Sequence, residues 1–180
     1  MVWITTKTGD GGETSLYDGT RLAKDDPLVC LYGTLDECQA FCGLARASSA
    51  CGAVKERMKK LEENLFELMG VLAHSGRPML AIAELEGWTE EAHQVCGNSF
   101  EFLLPGESAA DAAFHLARTV ARRAERLAVP LLRSGVVTKE QFAYINRLSD
   151  VIYALLLWER AEAKGRPEER GQRACISSNS

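Results

Sequence analysis

From Asp26 onward, apolar residues recur at steps of three and four. Leu28, Leu31, Tyr32, Leu35, Cys38, Cys42 and Ala45 form one stripe, which predicts an amphipathic helix with one face against a core. Asp26 supplies an N-cap and Pro27 suits the first helical position. Val54, Met58, Leu61, Leu65, Leu68, Met69 and Leu72 repeat the spacing, with Lys55, Glu56, Lys59, Lys60, Glu62 and Glu63 on the other faces, and predict a second helix. The pattern breaks around Ser75–Pro78. Thr89, followed by Glu90 and Glu91, predicts the start of a short helix running to Val95.

Phe100–Gly106 is a short apolar run closed by Pro105-Gly106, read as a loop or strand fragment lying on the bundle. Ser108 with Asp111 caps a fourth helix running toward Pro130. Thr138 and Gln141 form a capping box for a fifth, whose stripe is Phe142, Ile145, Leu148, Ile152 and Leu155 and whose end is marked by Gly165, Arg166 and Pro167. Residues 5–24 carry four glycines and no helical or strand-like apolar period, so they read as a long loop. The expected architecture is all-α: a five-helix up-and-down bundle, four helices long and one short, with a Gly-rich N-terminal loop. It divides into an N-terminal loop over 1–25, a helical domain over 26–166 and a polar tail over 167–180.

With 180 residues, 46% apolar and 26% charged, the chain supports one full core but not two. The first ten residues lack the pattern of a secretory signal, and no run is long enough to span a bilayer, which points to the cytosol. The six cysteines, Cys30, Cys38, Cys42, Cys51, Cys96 and Cys175, include no C-x-x-C pair, so reduced thiols are expected. A net charge of -4 argues against nucleic-acid or anionic-membrane partners. His74, His93 and His115 lack zinc-site spacing, and no protein-ligated transition metal is expected.

Two clusters carry candidate chemistry. Lys7-Thr8-Gly9-Asp10-Gly11-Gly12 has the composition of a phosphate-cradling turn, since glycine lets successive amides converge on an anion. It lacks Walker A spacing, and a simple flexible turn explains the same residues. Arg118, Arg122, Glu125 and Arg126 fall at i, i+4, i+7 and i+8, one helical face on which guanidinium forks suit a triphosphate and Glu125 suits holding a neighbouring arginine in place. A solvated, salt-bridged face has the same pattern. Asn146, with Arg147 and Asp150 nearby, is a candidate reader of a base or ribose, or else an interhelical polar contact.

The segments TKTGDGG (6–12), AKDDP (23–27), YGTLDE (32–37), FLLPGE (102–107), RTVARRAER (118–126) and INRLSD (145–150) resemble, in order and spacing, those of PduO-type ATP:cob(I)alamin adenosyltransferases. The resemblance spans residues 4–165. It implies a five-helix homotrimer that transfers the 5'-deoxyadenosyl group of ATP to the cobalt of cob(I)alamin, releasing triphosphate. By the same resemblance, Thr6, Lys7, Thr8, Gly9, Asp10, Thr14, Ser15 and Lys24 wrap ATP and its magnesium, and Arg118, Arg122, Glu125, Arg126 and Asn146 form the opposite wall. Arg122 and Phe102 are the implied catalytic residues, with Phe102 beneath the corrin ring, where it displaces cobalt's lower axial base. Asp36 is the implied partner of Arg118 across a subunit boundary. Because the cobalt nucleophile belongs to cobalamin, alignment and charge stabilisation fall to the protein.

No D-x-H-x-x-G segment is present to replace that base by histidine. The chain departs from the resemblance at Glu107, where many relatives have a second glycine, and in lacking an aromatic residue near its C-terminus. A reductase and a B12-dependent acceptor enzyme are the implied protein partners. A non-catalytic nucleotide- or cobalamin-binding carrier on the same bundle is the alternative.

Overall fold

The computed structural model describes residues 4–97 and 103–165. Within them lie β1 (Glu13–Ser15), β2 (Arg21–Ala23), α1 (Pro27–Ser48), α2 (Gly52–Leu72), α3 (Ile82–Cys96), α4 (Ala109–Ser134) and α5 (Lys139–Gly165). α1 packs on α2 and α4, α5 packs on α4 and α3, and the helices share one apolar core. The five-helix expectation holds, with α3 the short member. Among the described residues no helix is long and apolar enough to cross a membrane.

Local chemistry sets the helix starts. The Asp26 carboxylate accepts from the Leu28 amide at 2.8 Å, and the Ser108 hydroxyl accepts from Asp111 N at 3.0 Å. The Thr138–Gln141 box forms in both directions, at 2.8 and 3.2 Å. Each bond satisfies an amide that the first helical turn leaves unpaired.

Three expectations are corrected. The N-terminal segment holds an antiparallel hairpin, with Thr14 paired to Leu22, because buried Leu16 and half-buried Leu22 anchor it to the core. The Tyr17 amide bonds the Ala73 carbonyl at 3.0 Å, tying the hairpin tip to the end of α2. Two three-residue strands are too short to show a period. α3 begins at Ile82 rather than Thr89, because Leu85, Trp88 and Ala92 bury a helical stripe, while the Thr89 hydroxyl donates to the Leu85 carbonyl within the helix. α4 runs through Pro130 to Ser134 and is closed by Gly135 at φ +79. Pro130 is exposed, so the missing amide bond faces water while buried Leu131 and Val137 hold the last turn in place.

Cys30, Cys38, Cys42, Cys51 and Cys96 are free thiols. Residues 103–106 have no regular structure. Phe102, the helix-ending Arg166-Pro167 pair and Cys175 lie outside the described residues.

Candidate functional site

α3, α4 and α5 enclose a cavity of about 850 Å³, within the range of small-molecule sites. Along α5 its lining passes from Asp150 to Ala154 and Leu157 one and two turns further on. Arg118, Arg122 and Asp150 bring charge, whereas Ala92, Leu103, Ala154 and Leu157 are apolar.

The arginines reach it because α4 and α5 are packed neighbours joined by four residues, and hence antiparallel. The Arg118 guanidinium lies 5.7 Å from the Tyr153 ring centre. Both helices advance about 1.5 Å per residue, so from that contact Arg122 falls opposite Ser149 and Asp150, and Arg126 near Asn146. Arg122 lines the cavity with Ser149 and Asp150, and Asn146 is half-buried one turn before Asp150.

Within the arginine row the roles separate. Arg123 pairs with Glu37 of α1 and Arg147 with Glu86 of α3 at 3.2 Å, so both tie helices together. Arg122 and Arg126 make no ion pair among the described residues. Arg118 Nε is buried without a hydrogen-bond partner among the described residues, which costs stability unless something else supplies an acceptor. Glu125 makes no ion pair among the described residues, and its side chain is half-buried a turn beyond the cavity lining.

The N-terminal residues form a compact structure of their own. Asp10 N bonds Lys7 O at 3.3 Å, Gly12 N bonds Gly9 O at 3.1 Å, and Lys24 N bonds Gly12 O at 2.8 Å. Lys7 sits at φ +59, a left-handed conformation that is strained for a side-chain-bearing residue. A Cβ on Gly9 would lie 3.1 Å from Lys24 Nζ, so glycine there lets the ammonium fold over the turn. Arg21 clamps the hairpin through Thr8 O at 3.1 Å, Glu13 at 3.0 Å and Ser15 Oγ at 3.2 Å. The Thr6 and Thr8 hydroxyls share a hydrogen bond of 2.9 Å. Thr6, Lys7, Thr8 and Asp10 are exposed.

In the single chain none of Thr6–Asp10, Thr14, Ser15 and Lys24 lines the large cavity with the arginines. Ser15 instead shares a second cavity of about 270 Å³ with Asp36, Tyr32 and Phe66. Asp36 thus lines the cavity that Ser15 lines, and Arg118 the larger one.

One cavity residue carried no sequence signal. His115 lies one turn before Arg118, is 5% exposed, and has no partner for either ring nitrogen among the described residues. A lone histidine between apolar positions looks like core, and only the packing of α3 and α5 reveals the cavity beside it. Burial lowers its pKa below the usual 6.5; Asp111 opposes that shift, and Arg118 and Arg160 reinforce it. The ring is therefore neutral near pH 7. The unfolded chain takes up this proton first, so stability should decline as pH falls through 6.5 toward the folded value. A titration of the ring proton resonances by NMR is expected to give a midpoint below 6.5, and a higher midpoint contradicts this account.

The sequence profile described as cobalamin adenosyltransferase matches residues 4–159. A corrinoid adenosyltransferase of Citrobacter freundii is 33% identical over 164 residues, covering 86% of this chain and 93% of the relative. Corrinoid adenosyltransferase PduO of Salmonella typhimurium is 37% identical over 169 residues, or 89% of this chain, which spans 50% of that longer relative. Among solved structures, a variant PduO-type ATP:corrinoid adenosyltransferase from Lactobacillus reuteri, complexed with cobalamin and ATP, matches with a TM-score of 0.78 at 29% identity, covering 89% of this chain and 96% of that one.

Proposed function

This chain belongs to the cobalamin adenosyltransferase family, and from that premise we propose how its residues perform the family's reaction. It is a corrinoid adenosyltransferase that uses ATP and cobalamin as substrates. The cobalt(I) electron pair attacks the ribose 5' carbon, the cobalt–carbon bond forms, and the carbon–oxygen bond breaks with its electrons leaving on triphosphate. No protein nucleophile is needed.

The observation that carries this reading is the two-sided cavity. Its arginine end suits phosphate and ribose oxygens, and its apolar end, with Leu103, Ala154 and Leu157, suits the face of a macrocycle. Arg122 receives the leaving triphosphate, where charge develops as the bond breaks. Arg118, Arg126 and Asn146 orient the nucleotide along the same wall. Phe102 adjoins Leu103 in sequence and is the candidate for the lower face of the corrin, outside the described residues.

The opposite wall comes from a second copy. Lys7 and Lys24 bring charge to the triphosphate, with Gly9 leaving the space between them. Thr6, Thr8, Asp10, Thr14 and Ser15 offer the hard oxygen donors that a magnesium ion on ATP prefers. Asp36 then reaches Arg118 from that copy, giving its stranded Nε an acceptor. A cyclic trimer repeats this contact three times and closes. In the cytosol, a reductase supplies the low-valent cobalt and a B12-dependent enzyme takes the product.

Purified protein mixed with MgATP and chemically reduced cobalamin is expected to consume the cob(I)alamin absorbance and yield a light-sensitive cobalt–carbon product. Binding of both substrates without that product would instead mark a carrier.

A further inference from the structure

The loop that carries Leu103 to the cavity is held by a buried charge cluster that the reaction itself does not use. Asp111, on the first turn of α4, is 2% exposed. Both its oxygens are engaged: Oδ2 accepts from the Gly106 amide at 2.7 Å and the Glu107 amide at 3.3 Å, and Oδ1 meets Arg160 Nε at 2.6 Å and Nη2 at 2.5 Å. Arg160, near the end of α5, has a side chain only 10% exposed. Its Nη2 also donates to the Leu104 carbonyl at 3.0 Å, and its Nη1 meets the Glu107 carboxylate at 3.1 Å.

One guanidinium and one carboxylate thus grip Leu104, Gly106 and Glu107 together. Gly106, at φ +106, adopts a backbone that other residues rarely do, and this turns two successive amides onto one oxygen. A buried charge pair is a poor source of stability in itself but demands a fixed geometry, because each partner strands the other if it moves. Leu104 is 85% exposed, so core packing does not hold this segment, and the cluster does.

We propose that Asp111 and Arg160 are positioning residues for the corrin substrate, fixing the Leu103–Glu107 segment at the apolar end of the cavity so that Leu103 meets one face of the macrocycle. The proposal rests on reading that end as the cobalamin side. It also gives Glu107 a role: the carboxylate in place of a glycine supplies the third arm of the clasp.

Full-length protein carrying Arg160→Gln, Arg160→Lys or Glu107→Gln is assayed with prereduced cob(I)alamin, varying each substrate in turn. Arg160→Gln is expected to raise the cobalamin KM about tenfold while the ATP KM stays within about twofold, because Arg118 and Arg122 lie roughly two and three turns along α4 from Asp111. Arg160→Lys keeps the charge but loses the fork, and is expected to give a rise of about fivefold, with Glu107→Gln near twofold to threefold. Should Arg160→Gln not fold, the other two variants decide. Wild-type cobalamin KM in both, or an ATP KM that climbs in parallel, overturns the proposal. Leu157→Gln separates this failure from failure of the site reading: if it too leaves the cobalamin KM unchanged, the cavity is not the corrin site; if it raises that KM while the clasp variants do not, only the clasp is wrong.

Discussion

Arg122→Ala is expected to lower kcat for adenosyl transfer about 100-fold, the loss typical when a preorganised donor to developing charge is removed. Arg122 is the cavity arginine with the fewest other duties. It is exposed on α4, lines the cavity beside Asp150 and makes no ion pair among the described residues, so its truncation removes little packing. Arg123, its neighbour in sequence, is bonded to Glu37 of α1. Arg123→Ala is the matched control, expected to cost some stability but less than about threefold in kcat. Steady-state kinetics with both substrates varied separates these outcomes. A kcat for Arg122→Ala within a factor of about three of wild type removes Arg122 from the reaction centre.

Glu159→Ala is expected to destabilise the fold by about 3 kcal/mol, since it strips a buried charged acceptor from several donors at once. Glu159 is 8% exposed on α5. It accepts from the Ser49 hydroxyl, from Ala50 N at 2.8 Å and from Cys51 N at 3.3 Å. Cys51, the N-cap of α2, has no side-chain capping bond of its own, and a carboxylate more than 100 positions away in sequence holds its amide, shared with Ser49 Oγ, at the start of the helix. The positive end of the α2 dipole favours that charge. The corresponding fall in Tm is roughly 6–12 °C for a chain of this size. Glu159→Gln keeps the shape and loses the charge, and is expected to fall between the two. Urea unfolding checks the order, and a loss below about 0.5 kcal/mol for Glu159→Ala contradicts the capping role.

Burial overrides local helix signals at two places in this chain. Thr89 before two glutamates has the pattern of a helix start, yet Leu85 and Trp88 are buried upstream of it, and burial outweighs a cap of about 1 kcal/mol. Pro130 has the pattern of a helix end, and buried Leu131 carries α4 past it. His115 and Arg160 gave no sign of their surroundings, because each is defined by what lies across from it: the cavity wall in one case and Asp111 in the other.

By itself the sequence determined the helical stripes, the caps at Asp26, Ser108 and Thr138, and the face shared by Arg118 and Arg122. These features are written within one or two turns, where backbone geometry fixes which side chains are neighbours. Only the tertiary structure decided that Arg118 meets Tyr153, that Asp111 grips Arg160 49 residues away, and that in the single chain the glycine loop does not line the cavity of the arginines. Such pairings depend on how antiparallel helices register when their apolar faces pack, and burial, which sets the worth of each charge, exists only once they have.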